Sequence, residues 1–181
     1  MKTLGIVLAV VTFIAVSSQL IVAGRVPLTD SITFKSSAKS QSTKPCARED
    51  LTIKEGETDA AMGGVRRTPF VLTNTSKATC TLEGYPSLEL LNKAGAVVKR
   101  ATKQKSDDPI TAATLEPGKT AWFALNFNVG GAGYMGKPCP SYPRIRINTP
   151  GAKRPFVLRT VTQTCAKTDF EVTPLVAGSP E

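Results

Sequence analysis

Apolar residues recur at every second position over most of the chain. Leu51 and Ile53 flank Thr52, and Phe70 and Leu72 lead into the turn cluster Asn74-Thr75-Ser76. Ala78, Cys80 and Leu82 share one parity while Thr79, Thr81 and Glu83 share the other. Phe123, Leu125, Phe127 and Val129 form one face of a segment. Ile145 and Ile147 alternate with Arg144, Arg146 and Asn148, and Phe170 and Val172 with Glu171 and Thr173. A period of two belongs to a strand with one face buried and one wet. Turn signals punctuate these runs at Gly63-Gly64, Gly84-Tyr85-Pro86, Asn92-Lys93-Ala94-Gly95, Asp107-Asp108-Pro109, Glu116-Pro117-Gly118 and Pro150-Gly151. No window carries a helical stripe, because Pro and Gly recur too often. Short strands at regular turn spacing predict an all-β fold, an antiparallel β-sandwich of eight or nine strands with immunoglobulin-like architecture. The antibody core motif is absent, since Trp122 lies far beyond Cys80.

The first two dozen residues break the pattern. A basic start at Lys2, an apolar run over residues 4–16 and small residues at Ala23 and Gly24 make a secretory signal peptide over 1–24. An uncleaved membrane anchor is the alternative, weakened by Thr12, Ser17, Ser18 and Gln19. No cysteine stands at the exit for a lipid anchor. Residues 25–45, with Ser36, Ser37, Lys39, Ser40 and Ser42, have the composition of a flexible linker. The folded domain is expected over 46–175, with a tail over 176–181. The protein is therefore expected to be exported, either secreted or periplasmic, and bacterial.

Export decides how the cysteines read. Cys46, Cys80, Cys139 and Cys165 are an even set with no closely spaced pair, which favours two disulfides over a zinc site. Three pairings are open. Sequence-near pairing, Cys46–Cys80 and Cys139–Cys165, is the expectation because it ties each end of the sandwich to a neighbouring strand.

The 181 residues contain no histidine, so neither a Ser-His-Asp nor a Cys-His pair can be built. No cofactor is expected. Residues 130–138 contain glycines spaced as in phosphate loops, but Pro138 occupies the magnesium hydroxyl position and Pro138, Pro140 and Pro143 forbid the following helix. Nucleotide binding is thus not expected. Glu49, Asp50, Glu55, Glu57 and Asp59 match no calcium loop and read as a solvated strand end, although they are the candidates for carboxylate catalysis in a hydrolase. Asn74-Thr75-Ser76 fits a glycan acceptor but reads better as a turn.

The formal charge is +9, and removing the signal takes away only Lys2. Arg144 and Arg146 should share an exposed sheet face. Few aromatics are interleaved to stack bases, so nucleic acid is not the expected partner. Anionic envelope polymer is the more natural counterpart, with another envelope protein as the alternative.

Several segments together resemble one bacterial exported family. Leu72-Thr73-Asn74-Thr75-Ser76 followed by Cys80-Thr81-Leu82-Glu83-Gly84-Tyr85-Pro86 resembles its L-T-N-x-(S/G)…C-x-L-x-G-Y-P segment. Leu115-Glu116-Pro117-Gly118-Lys119-Thr120-Ala121 resembles its L-x-P-G-x-x-A stretch, and Gly136-Lys137-Pro138-Cys139 its G-x-x-C. That family is catalogued as domain of unknown function 4232. The resemblance implies an exported β-sandwich and supplies no catalytic residues. Together these features predict a non-catalytic binding or structural module, with two alternatives. One is an inhibitor of exported proteases presenting the 130–138 loop; the other is a hydrolase using the acids of 49–59.

The empty histidine count has a measurable consequence. Ordinary carboxyls titrate near pH 4 and Tyr and Lys near pH 10, and bridged cysteines do not titrate. Stability depends on pH only through a difference in bound protons between folded and unfolded chains. The unfolding midpoint of the oxidised domain is therefore expected to stay flat from about pH 6 to pH 8. A slope of several degrees per pH unit in calorimetry would reveal a displaced carboxyl or a free thiol.

Overall fold

The computed structural model describes residues 43–60, 62–129, 138–165 and 168–180. The signal segment, nearly all of the linker and most of the glycine-rich loop expected from sequence lie outside them. The strands are β1 (Leu51–Glu55), β2 (Asp59–Ala60), β3 (Val65–Asn74), β4 (Cys80–Leu82), β5 (Ser87–Leu91), β6 (Val97–Arg100), β7 (Thr102–Lys103), β8 (Ala113–Leu115), β9 (Thr120–Asn128), β10 (Ser141–Asn148), β11 (Phe156–Gln163), β12 (Phe170–Val172) and β13 (Val176–Ala177). Only 3-10 turns accompany them, so the fold is all-β among the described residues. The count exceeds eight or nine because β2, β7 and β13 are two residues long and β4, β8 and β12 three, too short for alternation to mark each one.

One sheet has the order β1-β3-β9-β12-β7, with β2 also paired to β3 and β13 also paired to β9. The second has the order β11-β10-β5-β6, and β4 and β8 form a third, small ladder. Pairing is antiparallel except between β7 and β12. The sandwich core follows from parity. Phe70 and Leu72 of β3, Phe123 and Leu125 of β9, and Val172 of β12 are buried against Leu88 and Leu90 of β5 and Ile145 and Ile147 of β10. Phe70 and Phe123 are direct cross-strand partners with rings stacked at 5.3 Å, a contact worth about 1 kcal/mol beyond its burial.

Two prolines inside strands sit where no ladder bond is asked of them. Pro143 falls at a bulge in β10, where the register to β11 shifts between Tyr142 and Arg144. Pro69 of β3 faces the gap between β1, which ends opposite Phe70, and β2, which starts opposite Arg67. The intervening loop stays tied to β3 through the Gly56 N–H, which donates to Pro69 O at 2.8 Å. Gly56 opens that loop close to the proline ring, and a Cβ on it would meet Pro69 Cγ at 2.8 Å.

The ends are tied down. Cys46 is bonded to Cys80 and Cys139 to Cys165, the sequence-near pairing. The first pins the incoming segment along β4, where Pro45 bridges Thr81. The second closes the open end of the β10–β11 hairpin, just beyond the Ser141–Gln163 pair. The chain does not fall away as a tail after Leu175. Val176 and Ala177 pair with Trp122 and Ala121, and Gly178 N–H donates to Thr120 O at 2.8 Å.

The large sheet and the β4–β8 ladder meet at Asn74, which is 0% exposed. Its Nδ2 donates to Ala78 O and Leu115 O, both at 2.8 Å. Its Oδ1 accepts from Ser76 N at 3.0 Å and from Ser76 Oγ at 2.8 Å. Its backbone N–H donates to Lys119 O, and its carbonyl accepts from Gly118 N. Gly118 makes this turn at φ 79°, a conformation that a Cβ disfavours. With both amide hydrogens committed in the interior, Asn74 is a turn residue and offers nothing to a glycan.

Asn74→Ala is expected to destabilise the oxidised domain by about 3 kcal/mol, since two interior carbonyls lose their donor at about 1–3 kcal/mol each. Asn74→Asp should be equally damaging, because it replaces that donor with a third acceptor. Urea unfolding decides; a loss below about 1 kcal/mol would show the amide to be dispensable.

Candidate binding face

Arg144 and Arg146 leave β10 on the side opposite Ile145 and Ile147, both of which are 0% exposed. Register then supplies their neighbours. Arg146 stands between Glu89 of β5 and Val157 of β11, and Glu89 stands beside Arg100 of β6. In the next row Arg144 lies opposite Arg159 of β11. Four arginines and one glutamate therefore share the outer face of the four-stranded sheet.

Glu89 serves two of them. Its Oε1 accepts from Arg100 Nε at 2.9 Å and its Oε2 from Arg146 Nη1 at 3.0 Å. Arg144 is held otherwise: its Nη2 donates to Asn92 O at 3.1 Å and Lys93 O at 2.6 Å, stapling the β5–β6 turn. Arg159 makes none of these contacts. Arg144 and Arg159 thus form a cross-strand pair of like charge, an arrangement that costs stability unless a counter-charge arrives. Lys153 and Arg146 border a dent of about 260 Å³ at the end of the face.

Parity also keeps one nearby cation off this face. Lys99 pairs with Leu90, so it points inward while Arg100 points out. Lys99 Nζ donates to Cys165 O at 2.6 Å and Thr168 O at 2.9 Å, and lies 5.6 Å from the centre of the Phe170 ring. Burial holds its ammonium below the usual 10.5, and the charge of Asp169 opposes that fall.

The five acids of the 49–59 stretch do not converge. Glu49 pairs with Arg154, and Asp50 accepts from Ala47 N and lies 3.6 Å from Lys44. Glu55 accepts from Thr160 Oγ1. Glu57 and Asp59 instead border a groove on the opposite sheet, beside Trp122. No group of three acids or cysteines that could hold a metal ion occurs among the described residues. No helix among them is long and apolar enough to cross a membrane. Glu89 was the member of the arginine face that sequence reasoning missed, although its place between Leu88 and Leu90 marks it as outward.

Residues 46–176 match the family described as Domain of unknown function (DUF4232), and the chain belongs to that family. No curated protein and no solved structure matches it.

Lys99 generates a signed pH prediction. Between its lowered folded pKa and the ordinary 10.5, the folded protein has shed a proton that the unfolded chain retains. The unfolded state then binds more protons, so stability rises with pH across that window and gains no slope from Lys99 below it. Denaturant unfolding at stepped alkaline pH should show this rise in the wild type and its absence in Lys99→Met. Parallel curves for the two proteins would refute it.

Proposed function

We propose that this member of the family is an exported, non-catalytic binding module that holds an anionic envelope polymer on its arginine face. The observation that carries the reading is the Arg144–Arg159 like-charge pair set beside the Arg100–Glu89–Arg146 row. Four guanidiniums on adjacent strands present a repeat of donors to a chain of phosphates or carboxylates, and one glutamate leaves them in excess. Guanidinium suits such groups because its planar fork binds two oxygens at once. Two formed disulfides fit an oxidising compartment. The dispersal of the 49–59 acids supports binding over hydrolysis.

Binding of a poly(glycerol phosphate) chain is expected to weaken steeply between roughly 0.01 M and 0.15 M salt, as the screening length falls from about 30 Å to about 8 Å. Arg144→Glu combined with Arg146→Glu should lower affinity by about tenfold or more. Arg159→Glu, which leaves the turn staple and the Glu89 pairs intact and removes the like-charge pair, should weaken binding with an unfolding midpoint that does not fall. Salt-insensitive binding, or indifference to both variants, would remove this face from consideration.

A further inference from the structure

The outer face of the large sheet is chemically unlike the arginine face. The residues between β1 and β2, tied to β3 by the Gly56 N–H donating to Pro69 O at 2.8 Å, form one wall there. A hydrogen bond of 2.7 Å between Thr58 Oγ1 and Thr68 Oγ1 fastens that wall. Ser179 and Pro180, held through Gly178, form the wall across from it. Pro69 and the half-buried indole of Trp122 lie on the floor of a groove of about 660 Å³. A second hollow of about 380 Å³ continues it toward Asn128, and Arg67 lines both. From Trp122 to Asn128 along β9 the run is about 20 Å at the rise of a strand.

Register places a polar row across this floor. Asp59 of β2, Arg67 of β3, Asn126 of β9 and Glu171 of β12 are successive cross-strand partners. Asn126 Nδ2 donates to Gln104 Oε1 at 2.7 Å, which orients both amides and leaves the Asn126 carbonyl and the Gln104 N–H groups for a ligand. The Arg67 guanidinium lies 5.4 Å from the centre of the Trp122 ring. Glu57, Asp59, Arg67 and Glu171 make no ion pair among the described residues.

We infer that this groove is a second binding site and that it takes a neutral glycan chain. A pyranose has an apolar C–H face and a rim of hydroxyls, each of which both donates and accepts. Pro69 and the part of the Trp122 indole that Arg67 leaves uncovered supply the apolar surface for the first. Carboxylates and the Asn126 carbonyl accept, and Arg67 and Gln104 donate, which serves the second. All but Glu57 are carried on strands or fixed by hydrogen bonds, so little ordering is left for binding to impose. The groove runs on into the second hollow past Arg67 and carries polar residues along it, which suits a chain lying in it more than a small molecule enclosed by it. Four carboxylates, Glu57, Asp59, Asp169 and Glu171, against one guanidinium repel the polyanion assigned to the other sheet. The two faces therefore hold different polymers, and either assignment can fail without the other.

Trp122 is the chain's one tryptophan, so its emission reports on the groove alone. Cellohexaose, chitohexaose, xylohexaose, maltohexaose and mannohexaose are the probes. At least one should change the emission saturably, with an affinity that stays within about twofold from low to physiological salt, as expected where no net charge is bound. In calorimetry, Trp122→Ala should lower that affinity at least tenfold and Trp122→Phe less, because phenylalanine keeps a flat ring. Glu171→Gln and Asn126→Ala, both on the rim, should each weaken binding several-fold and serve as the test should Trp122→Ala not fold. The Arg144→Glu, Arg146→Glu protein should bind as the wild type does. The inference is overturned if none of the five binds, or if binding survives Trp122→Ala. Saturation only by a charged oligosaccharide or by a proline-rich peptide would overturn it equally.

Discussion

A buried side-chain amide can donate twice and accept twice, and in the interior each of these capacities must be met by protein. Asn74 meets all of them across pieces of chain that would otherwise be independent. It ends β3, and it binds the carbonyls of the following turn and of Leu115 on β8. Its backbone also closes on the Gly118–Lys119 turn that launches β9. The start of β9 fixes the register of the large sheet, and β8 fixes β4 and with it Cys80. Two stretches that carry the family resemblance, around Asn74 and around Pro117-Gly118, are therefore in contact. Tyr85, in the remaining stretch through Cys80, donates its hydroxyl to Gln104 O at 2.8 Å while its ring packs on the core. These residues specify how sheets join. They say little about what the outer faces bind.

That separation explains why the outer faces can differ so much. Each core-facing position of a strand is constrained by the opposite sheet, whereas each outward position is constrained only by its cross-strand neighbours. On the four-stranded sheet those neighbours are Arg100, Arg144, Arg146 and Arg159 around Glu89. On the large sheet they are Asp59, Arg67, Asn126 and Glu171. The first face is cationic, and the second carries a groove bordered by Gly56 and Glu57 of the β1–β2 connection and by Ser179 and Pro180.

Much of this was legible in the residues, because alternation fixes which side chains point inward once a strand exists. The long strands β3, β9 and β10 and the outward placement of Arg144 and Arg146 follow from it directly. So does the sandwich, since each such strand has one apolar face to hide. What alternation cannot show is which strands are neighbours. Arg67, Asn126 and Glu171 are far apart in sequence and meet only through the β3-β9-β12 order. Strands of two residues have no period at all, which is why Asp59–Ala60 looked like part of an acidic stretch and Val176–Ala177 like a tail. Glu89 was readable and overlooked, because a single acid among leucines draws less notice than a run of cations.

Net charge is the weakest guide of all, since it counts cations without their direction. Of those that make the chain basic, Lys99 points inward to two carbonyls and a ring. Arg48 lies 3.7 Å from the centre of the Phe156 ring, Lys103 5.3 Å from that of Tyr85, and Arg67 over Trp122. A cation over a ring is partly satisfied by the ring's quadrupole, and its stem covers apolar surface. Such residues support packing as much as they project charge. Only where register sets Arg144 against Arg159, with no acid between them, does the excess become a local field. The charge that matters for a partner is the part that the fold leaves without a counter-charge, and β-sheet register decides where that part lies.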